Sequence, residues 1–281
     1  MCRLFAFRSQ LTSRVHKSLL DADNSLRILS NKHPDGWGMG FYIDGYPHVI
    51  KSLMQASDDQ LFSKVSGVVS SQTVLAHIRK ATQGAADRMT NIHPFQYGKW
   101  LFAHNGNIKN FENKKSDLLK LLEHPFDRYI LGTTDSELLF MLILSKLKSA
   151  LDNDESFELI EKMIKKIIEQ IVEICGPLTF DGSQNSSNNY LTFILTDGQK
   201  MIAFNGGQEL YYSTHKKKCS ESSICQFYDK SCENKAKNKQ CVNHLLLSSE
   251  MLEGENEWFK IEPYQLVYLD RSYRFHFSSK F

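Results

Sequence analysis

No apolar run in this 281-residue chain is long enough to cross a bilayer: the most apolar one, Leu138 to Leu144, is far short of the roughly 20 residues a spanning helix needs. Nor does the start of the chain hold the uninterrupted apolar stretch of a secretion signal, because Arg3 and Arg8 break it. The expectation is a cytoplasmic protein that touches no membrane. Charge of one sign is missing too. Lys and Arg number 34 against 32 Asp and Glu, a formal net charge of +2, so bulk electrostatics offers nothing to a nucleic acid, and a small-molecule partner is expected. No CxxC pair occurs. Of the six cysteines, Cys219, Cys225, Cys232 and Cys241 fall in one polar stretch with five, six and eight residues between them. That spacing signals structural zinc only weakly, and it reads more simply as free thiols in an inserted loop. No internal repeat appears. The length allows one large domain or two small ones with a substantial core.

What is present begins as strands. "GMGFYIDGYPHVIKSL" reads as a hairpin about Asp44-Gly45, a dipeptide that accepts the positive φ angles of a tight turn. "TVLAHIRKA" and "KWLFAHNGNI" are short runs of β-branched and aromatic residues that end in polar ones, where a sheet would meet a site. Two helices follow. In "TTDSELLFMLILSKLKSAL", Thr134 and Glu137 have the spacing of a capping box. "DESFELIEKMIKKIIEQIVEIC" repeats Phe157, Ile160, Ile164, Ile167, Ile168 and Ile171 at three-to-four-residue intervals, and Gly176-Pro177 ends it. Strands then return in "YLTFILTDGQKMIAFNGG", a hairpin about Asp197-Gly198, and in "ELYYST", "HLLLSSE" and "YQLVYLDRSYRFHF". The cysteine-bearing stretch and "DGSQNSSNN" read as polar, mobile excursions. Strands, two long helices, then strands again predict an α+β fold of two sheets with helices outside them. We expect a single domain over residues 2–281 with an insert at about 215–243.

Chemistry-bearing residues gather at the strand ends. Cys2 directly follows Met1. If that methionine is removed, the residue carries a thiol of pKa about 8.5 beside an α-amine of pKa about 8, a nucleophile with its own base. A buried cysteine or an acylated one is the plain alternative. "AHNGNI" sets Asn105 and Gly106 side by side, where an amide and a backbone N–H can converge on one oxyanion, although Asn-Gly is also a common hairpin turn. "AHIRKATQG" supplies His77, Arg79, Thr82 and Gly84; the arginine suits a carboxylate, or is a solvated surface charge. Asp135 in "GTTDSE" can receive an ammonium, or can serve the helix N-terminus. Arg79 and Asp135 together would hold the two charged groups of an α-amino acid.

These residues resemble the type II glutamine amidotransferases, which are N-terminal nucleophile hydrolases built as a four-layer αββα sandwich. Cys2 behind Met1, "DGWGMGFY", "HIRKATQG", "NIHPF", "AHNGNI" and "TTDSE" occur in that family's order and approximate spacing. The resemblance implies Cys2 as nucleophile, Asn105 and Gly106 as oxyanion hole, Arg79 on a substrate carboxylate and Asp135 on its amine, with His77 and Thr82 also lining the substrate. More closely, the chain is similar to the standalone branch of the family, which includes hydrolases of γ-glutamyl compounds. "LLLSSEMLEGENEW" matches a late stretch of that branch, with Met251 where proline is common. Lys80 and Gln83 stand where synthase-linked members usually carry tryptophan and histidine, and the insert at 215–243 is foreign to the family.

The function expected is cleavage of the γ-amide of glutamine or a γ-glutamyl compound through a thioester, with no cofactor and no metal. Two rivals remain: a glutaminase subunit that feeds ammonia to a protein partner, and a noncatalytic binding protein that kept the pocket. His93 is expected to shape a turn, Trp37 and Phe41 to pack beneath the site, and His104 to orient a loop.

Overall fold

In the computed structural model, which describes residues 2–81, 88–183, 185–219, 222–224 and 228–279, the strands run β1 (Arg3–Arg14), β2 (Trp37–Ile43), β3 (Tyr46–Ser52), β4 (Ser70–Ile78), β5 (Phe95–Tyr97), β6 (Trp100–Asn107), β7 (Tyr190–Thr196), β8 (Met201–Phe204), β9 (Tyr211–Ser213), β10 (Gln240–Cys241), β11 (His244–Ser248), β12 (Phe259–Lys260), β13 (Leu266–Leu269) and β14 (Arg274–Phe277). The helices are α1 (Leu26–Leu29), α2 (Gln60–Val68), α3 (Phe111–Leu119), α4 (Asp135–Asp152) and α5 (Phe157–Cys175). Among the described residues the strands form two seven-stranded sheets, ordered β12-β9-β11-β1-β4-β2-β3 and β10-β14-β13-β8-β7-β6-β5, with antiparallel neighbours. The protein is an α+β four-layer αββα sandwich, as the sequence led us to expect.

Period-two alternation explains the layers, because successive side chains on a strand point to opposite faces. In β1 and β4 of the first sheet, Leu4, Ala6 and Leu75 join Leu101 and Ala103 of β6 in an apolar layer between the sheets. Their neighbours Phe5, Phe7, Val74, Ala76 and Ile78 face away and pack with Leu26 of α1 and with Phe62 and Val65 of α2. On the far side of the second sheet, Trp100, Phe102, Phe193 and Phe204 meet α4 and α5. The six apolar positions of α5 are all buried there. Each is worth about 2 kcal/mol of burial, which is why a helix alternating Lys and Glu with Ile docks on one face only.

Turn chemistry sets the register. Asp44 and Gly45 take φ of 52° and 82° between β2 and β3, and the edge strand β3 tolerates Pro47, whose missing N–H costs no ladder bond there. The tyrosine hydroxyl of Tyr42 lies 2.8 Å from the Lys99 carbonyl and 3.0 Å from that of Thr196, while Thr73 Oγ1 donates to Gly198 O at 2.8 Å. Both side chains reach across from the first sheet to the second, so one end of the sandwich is cross-linked. The polar residues singled out in the sequence cluster at the other end.

Several elements differ from expectation. "YQLVYLDRSYRFHF" is two strands, β13 and β14, joined by a turn in which Tyr273 adopts φ of 60°. The Asn105-Gly106 pair is not a turn: it continues β6, opposite Thr192 and Leu191 of β7. α1, α2 and α3 escape a periodicity search because they are short; α2 is held by the Asp59 side chain, which accepts from Leu61 N. The capping box on α4 is half formed, since Thr134 accepts from Glu137 N but Glu137 Oε2 takes the Gly132 N–H at 2.5 Å. The segment expected to be a polar excursion is tied down in part: β10 joins the edge of the second sheet, and Lys216 bridges to Asn256. Cys219 is buried, Cys232 Sγ accepts from Asn243 Nδ2 at 2.8 Å and Cys241 is exposed, whereas Cys225 lies outside the described residues.

Candidate active site

The site is built where β1, β4 and β6 end. Register places Arg3 opposite Ile78, and the Cys2 thiol sits against the next residues of β4: Lys80 N donates to Sγ at 3.4 Å and Sγ donates to Lys80 O at 3.6 Å. By strand alternation Cys2, with Leu4, faces the space between the sheets, and so do His77 and Arg79, with Leu75. Asn105 follows the inward-facing Leu101 and Ala103 on β6 and points into the same space from the other sheet. Burial pushes the Cys2 thiol up; the Lys80 backbone and the positive charges of Arg79 and Arg3 pull the other way without overcoming it. At neutral pH the group is a thiol, and it needs a base to become a nucleophile.

The strand that carries Cys2 is fixed from its other side. Ser249 Oγ accepts from Leu4 N at 3.0 Å, Ser249 N donates to Leu4 O at 3.0 Å, and Arg3 Nε donates to Glu250 Oε1 at 2.5 Å. The Ser-Ser-Glu stretch therefore clamps the residues that follow the thiol. This explains physically why that stretch, far away in sequence, belongs to the site.

Arg79 is buried, its N–H donates to Gly36 O at 2.8 Å, and its carbonyl accepts from Asp35 N at 3.1 Å. It is not a solvated surface charge. The tilted rings of His77 and His93 lie beside it with centroids 4.2 Å apart, both buried, and neither ring nitrogen of His93 has a hydrogen-bond partner among the described residues. Burial, and then the Arg79 charge for His77 and the His77 ring for His93, hold both far below the usual imidazole range, so both are neutral. His93 was expected to shape a turn; it forms part of this buried cluster. Its carbonyl is why residue 38 is glycine, since a Cβ there would overlap that oxygen. Unpaired buried polar atoms are costly, and the Asn105 Oδ1 is another. These unpartnered polar atoms of His93 and Asn105 lie close to the Cys2 and Arg79 strand ends.

Asp135 opens α4. Its Oδ2 accepts from Ile108 N at 2.7 Å, just beyond the end of β6, and its Oδ1 lies 3.2 Å from Ser136 Oγ. Ser136 Oγ is also 2.9 Å from His104 Nδ1, and His104 Nε2 is 3.1 Å from Tyr190 O. His104 thus faces the helical layer, opposite to Asn105, as strand alternation requires. Gly106 lies flat on it: a Cβ at that position would overlap both the imidazole and the Tyr190 carbonyl. Hydrogen bonds thereby link Asp135 to the strand that carries Asn105 and Gly106.

Of the residues singled out in the sequence, Cys2, His77, Arg79 and Asn105 face the inter-sheet space, Gly106 and Asp135 lie toward the helical layer, against His104 and at the start of α4, and Thr82 and Gly84 lie outside the described residues. Trp37 packs under the first sheet instead, with its ring 5.0 Å from Phe62 and its Nε1 donating to Asp59 Oδ2 at 3.0 Å; Phe41 stacks on His48. Sequence reasoning missed Ser136 altogether. Among the described residues no three His, Cys, Asp or Glu are grouped to hold a metal ion, and no helix is long and apolar enough to cross a membrane. Two clefts, of about 340 and 460 Å³, open around Gln72, Gly198 and Gln199 at the cross-linked end and include none of the candidate site residues.

Known proteins similar to this chain share one family description. The family model described as glutamine amidotransferases class-II matches residues 1–276. The chain is 28% identical over 225 residues to the probable glutamine amidotransferase DUG3 of Saccharomyces cerevisiae, covering 72% of this chain and 62% of that one. It is 33% identical over 115 residues to the gamma-glutamyl-hercynylcysteine sulfoxide hydrolase of Mycobacterium tuberculosis, covering 38% and 49%. A solved glutamine aminotransferase class-II domain protein from Silicibacter pomeroyi superposes over 99% of this chain and 98% of its own with a TM-score of 0.64 at 19% identity, a likeness of fold. The alignments span 62%, 55% and 53% of the lengths of three curated relatives, so the chain matches little more than half of each.

Proposed function

The chain belongs to the class-II glutamine amidotransferases, and we propose that it cleaves the γ-amide of glutamine or of a γ-glutamyl compound through a thioester on Cys2. The observation that carries this reading is the setting of the Cys2 thiol, bonded to the Lys80 backbone beside the buried Arg79, on the face that Asn105 meets from the opposite sheet.

In the proposed reaction Met1 has been removed, and the α-amine of Cys2 takes the proton that burial keeps on the sulfur. The S–C bond forms as the carbonyl π bond becomes an oxyanion, received by the Asn105 amide and the Gly106 N–H. Collapse breaks the C–N bond, and the ammonium returns its proton to the departing amine. Water then adds to the thioester, giving a proton to the amine; the S–C bond breaks, the thiolate regains a proton, and glutamate leaves. Arg79 pairs with the substrate carboxylate and Asp135 with its ammonium, while neutral His77 offers a hydrogen bond without competing for the carboxylate charge. An ionic contact at each end of the head group gives specificity, because a substrate lacking either group forfeits that contact.

The test is a panel of glutamine, glutathione and γ-glutamyl anilides on purified protein, scoring glutamate against released amine, with the intact mass recording whether Met1 is present. Glutamate release that depends on Arg79 in KM is expected. Release unaffected by Arg79→Ala, or a mature protein that retains Met1 and still turns over, would overturn the assignment.

A further inference from the structure

Cys2 lies ahead of the first β1–β4 pair, Arg3 with Ile78, so the ladder that holds the rest of the strand does not reach the nucleophile itself. A side-chain relay does. Arg3 Nε donates to Glu250 Oε1 at 2.5 Å, and Arg3 Nη1 donates to the Cys2 carbonyl at 3.1 Å, so one guanidinium joins a carboxylate to the peptide group of Cys2. Glu250 is placed in turn by its own N–H, which donates to Ser248 Oγ at 3.3 Å where β11 ends. A guanidinium suits the task, because its N–H groups stand in a rigid planar fork that can meet the carboxylate and the carbonyl at once.

The consequence falls on the α-amine. The Cα of Cys2 carries three heavy substituents: the carbonyl carbon, Cβ and the nitrogen. Arg3 holds the first through its oxygen, and the Lys80 backbone holds the second through Sγ, with Lys80 N at 3.4 Å and Lys80 O at 3.6 Å. On a tetrahedral carbon of fixed hand, holding two substituents sets the direction of the third. We propose that Glu250 is a positioning residue: by holding Arg3 on the Cys2 carbonyl, it orients the amine for proton transfer from the sulfur. The inference rests on the proposed function, which makes that amine the base, and it adds the element that aims it. Because Glu250 acts through Arg3, its loss should slow the chemistry and leave head-group binding alone.

The experiment measures aniline release from a γ-glutamyl anilide, with inhibition by free glutamate as the measure of head-group binding. It compares wild type, Glu250→Gln, Glu250→Ala, Arg3→Met and the double variant Arg3→Met with Glu250→Ala, and thermal melting checks that each is folded. Glu250→Ala should lower kcat about tenfold, the size of one hydrogen bond to a charged group, with the inhibition constant of glutamate unchanged. Glutamine, whose amide oxygen can still accept from Arg3 Nε, should recover most of the rate. In the Arg3→Met background the alanine substitution should cost nothing more, because the group through which Glu250 acts is gone. A merely structural role would lower the melting temperature and leave kcat per folded molecule as it is. Unchanged kcat in Glu250→Ala, a glutamine variant as slow as the alanine one, weakened glutamate inhibition, or an equal further loss in the double variant overturns the inference alone. If Arg3→Met does not fold, the first three outcomes decide it. Wild-type protein that releases no aniline, or releases it with Met1 retained, overturns the parent assignment with it.

Discussion

Acid should destabilise this protein through the paired buried histidines beside Arg79. His77 and His93 are neutral in the native state because burial holds their pKa values well below 6.5, whereas in the unfolded chain each titrates near that value. Below about pH 6.5 the unfolded state therefore binds protons that the native state refuses, and stability falls as pH falls. For a group that stays unprotonated in the fold, lowering the pH from about 7 to about 5 costs about 2 kcal/mol, or about 4 kcal/mol for the pair. This is a large share of a typical domain's margin of about 5 to 15 kcal/mol. The perturbation is His93→Leu, which removes two buried ring nitrogens that have no partner among the described residues and keeps an apolar body against Phe95. It should be nearly neutral at about pH 7, because no hydrogen bond is lost. Urea unfolding followed by tryptophan fluorescence should show the variant losing about 2 kcal/mol less than wild type between the two pH values. Equal losses would refute the argument that the ring is held neutral by burial.

Two further outcomes follow from packing. Gly106→Ala forces a methyl into the His104 ring and the Tyr190 carbonyl, displacing a proposed oxyanion donor, so kcat should drop about a hundredfold or more in steady-state assays; a drop below about threefold would remove Gly106 from the oxyanion hole. Lys200 is 1% exposed and its ammonium is held by Asp154 Oδ1 at 2.5 Å and by the Leu151 carbonyl at the end of α4. Lys200→Met should cost only about 1 to 2 kcal/mol in urea unfolding, because Asp154 reaches solvent and keeps Arg271 at 3.2 Å; a loss above about 4 kcal/mol would mean that Asp154 is stranded.

The parts of this molecule that were legible from its sequence are those governed by local rules. The α5 stripe, the Asp44-Gly45 turn and the alternating strands each carry their own period or turn signal, and each appears where expected. The hairpin at Arg271 and the three short helices do not, because a few residues cannot show a period and tertiary packing decides them. At the site, residue types were readable but their facing was not. The inward direction of Asn105 and outward direction of His104 depend on which face of β6 meets the other sheet. Ser136 was invisible for the same reason: its place beside His104 comes from α4 crossing a strand 32 residues earlier in the chain. Ser249 and Glu250 were found only through family resemblance, and the reason for them, two backbone bonds to Leu4 and an ion pair to Arg3, exists only in the folded register.

The central claim is covalent, and its most direct measurement is mass spectrometry of protein acid-quenched during turnover of a γ-glutamyl anilide. The account predicts one glutamyl group attached to the peptide that begins at Cys2, absent from Cys2→Ala, which should be folded and inactive. Hydrolysis by Cys2→Ala, or an adduct on any other residue, would contradict it.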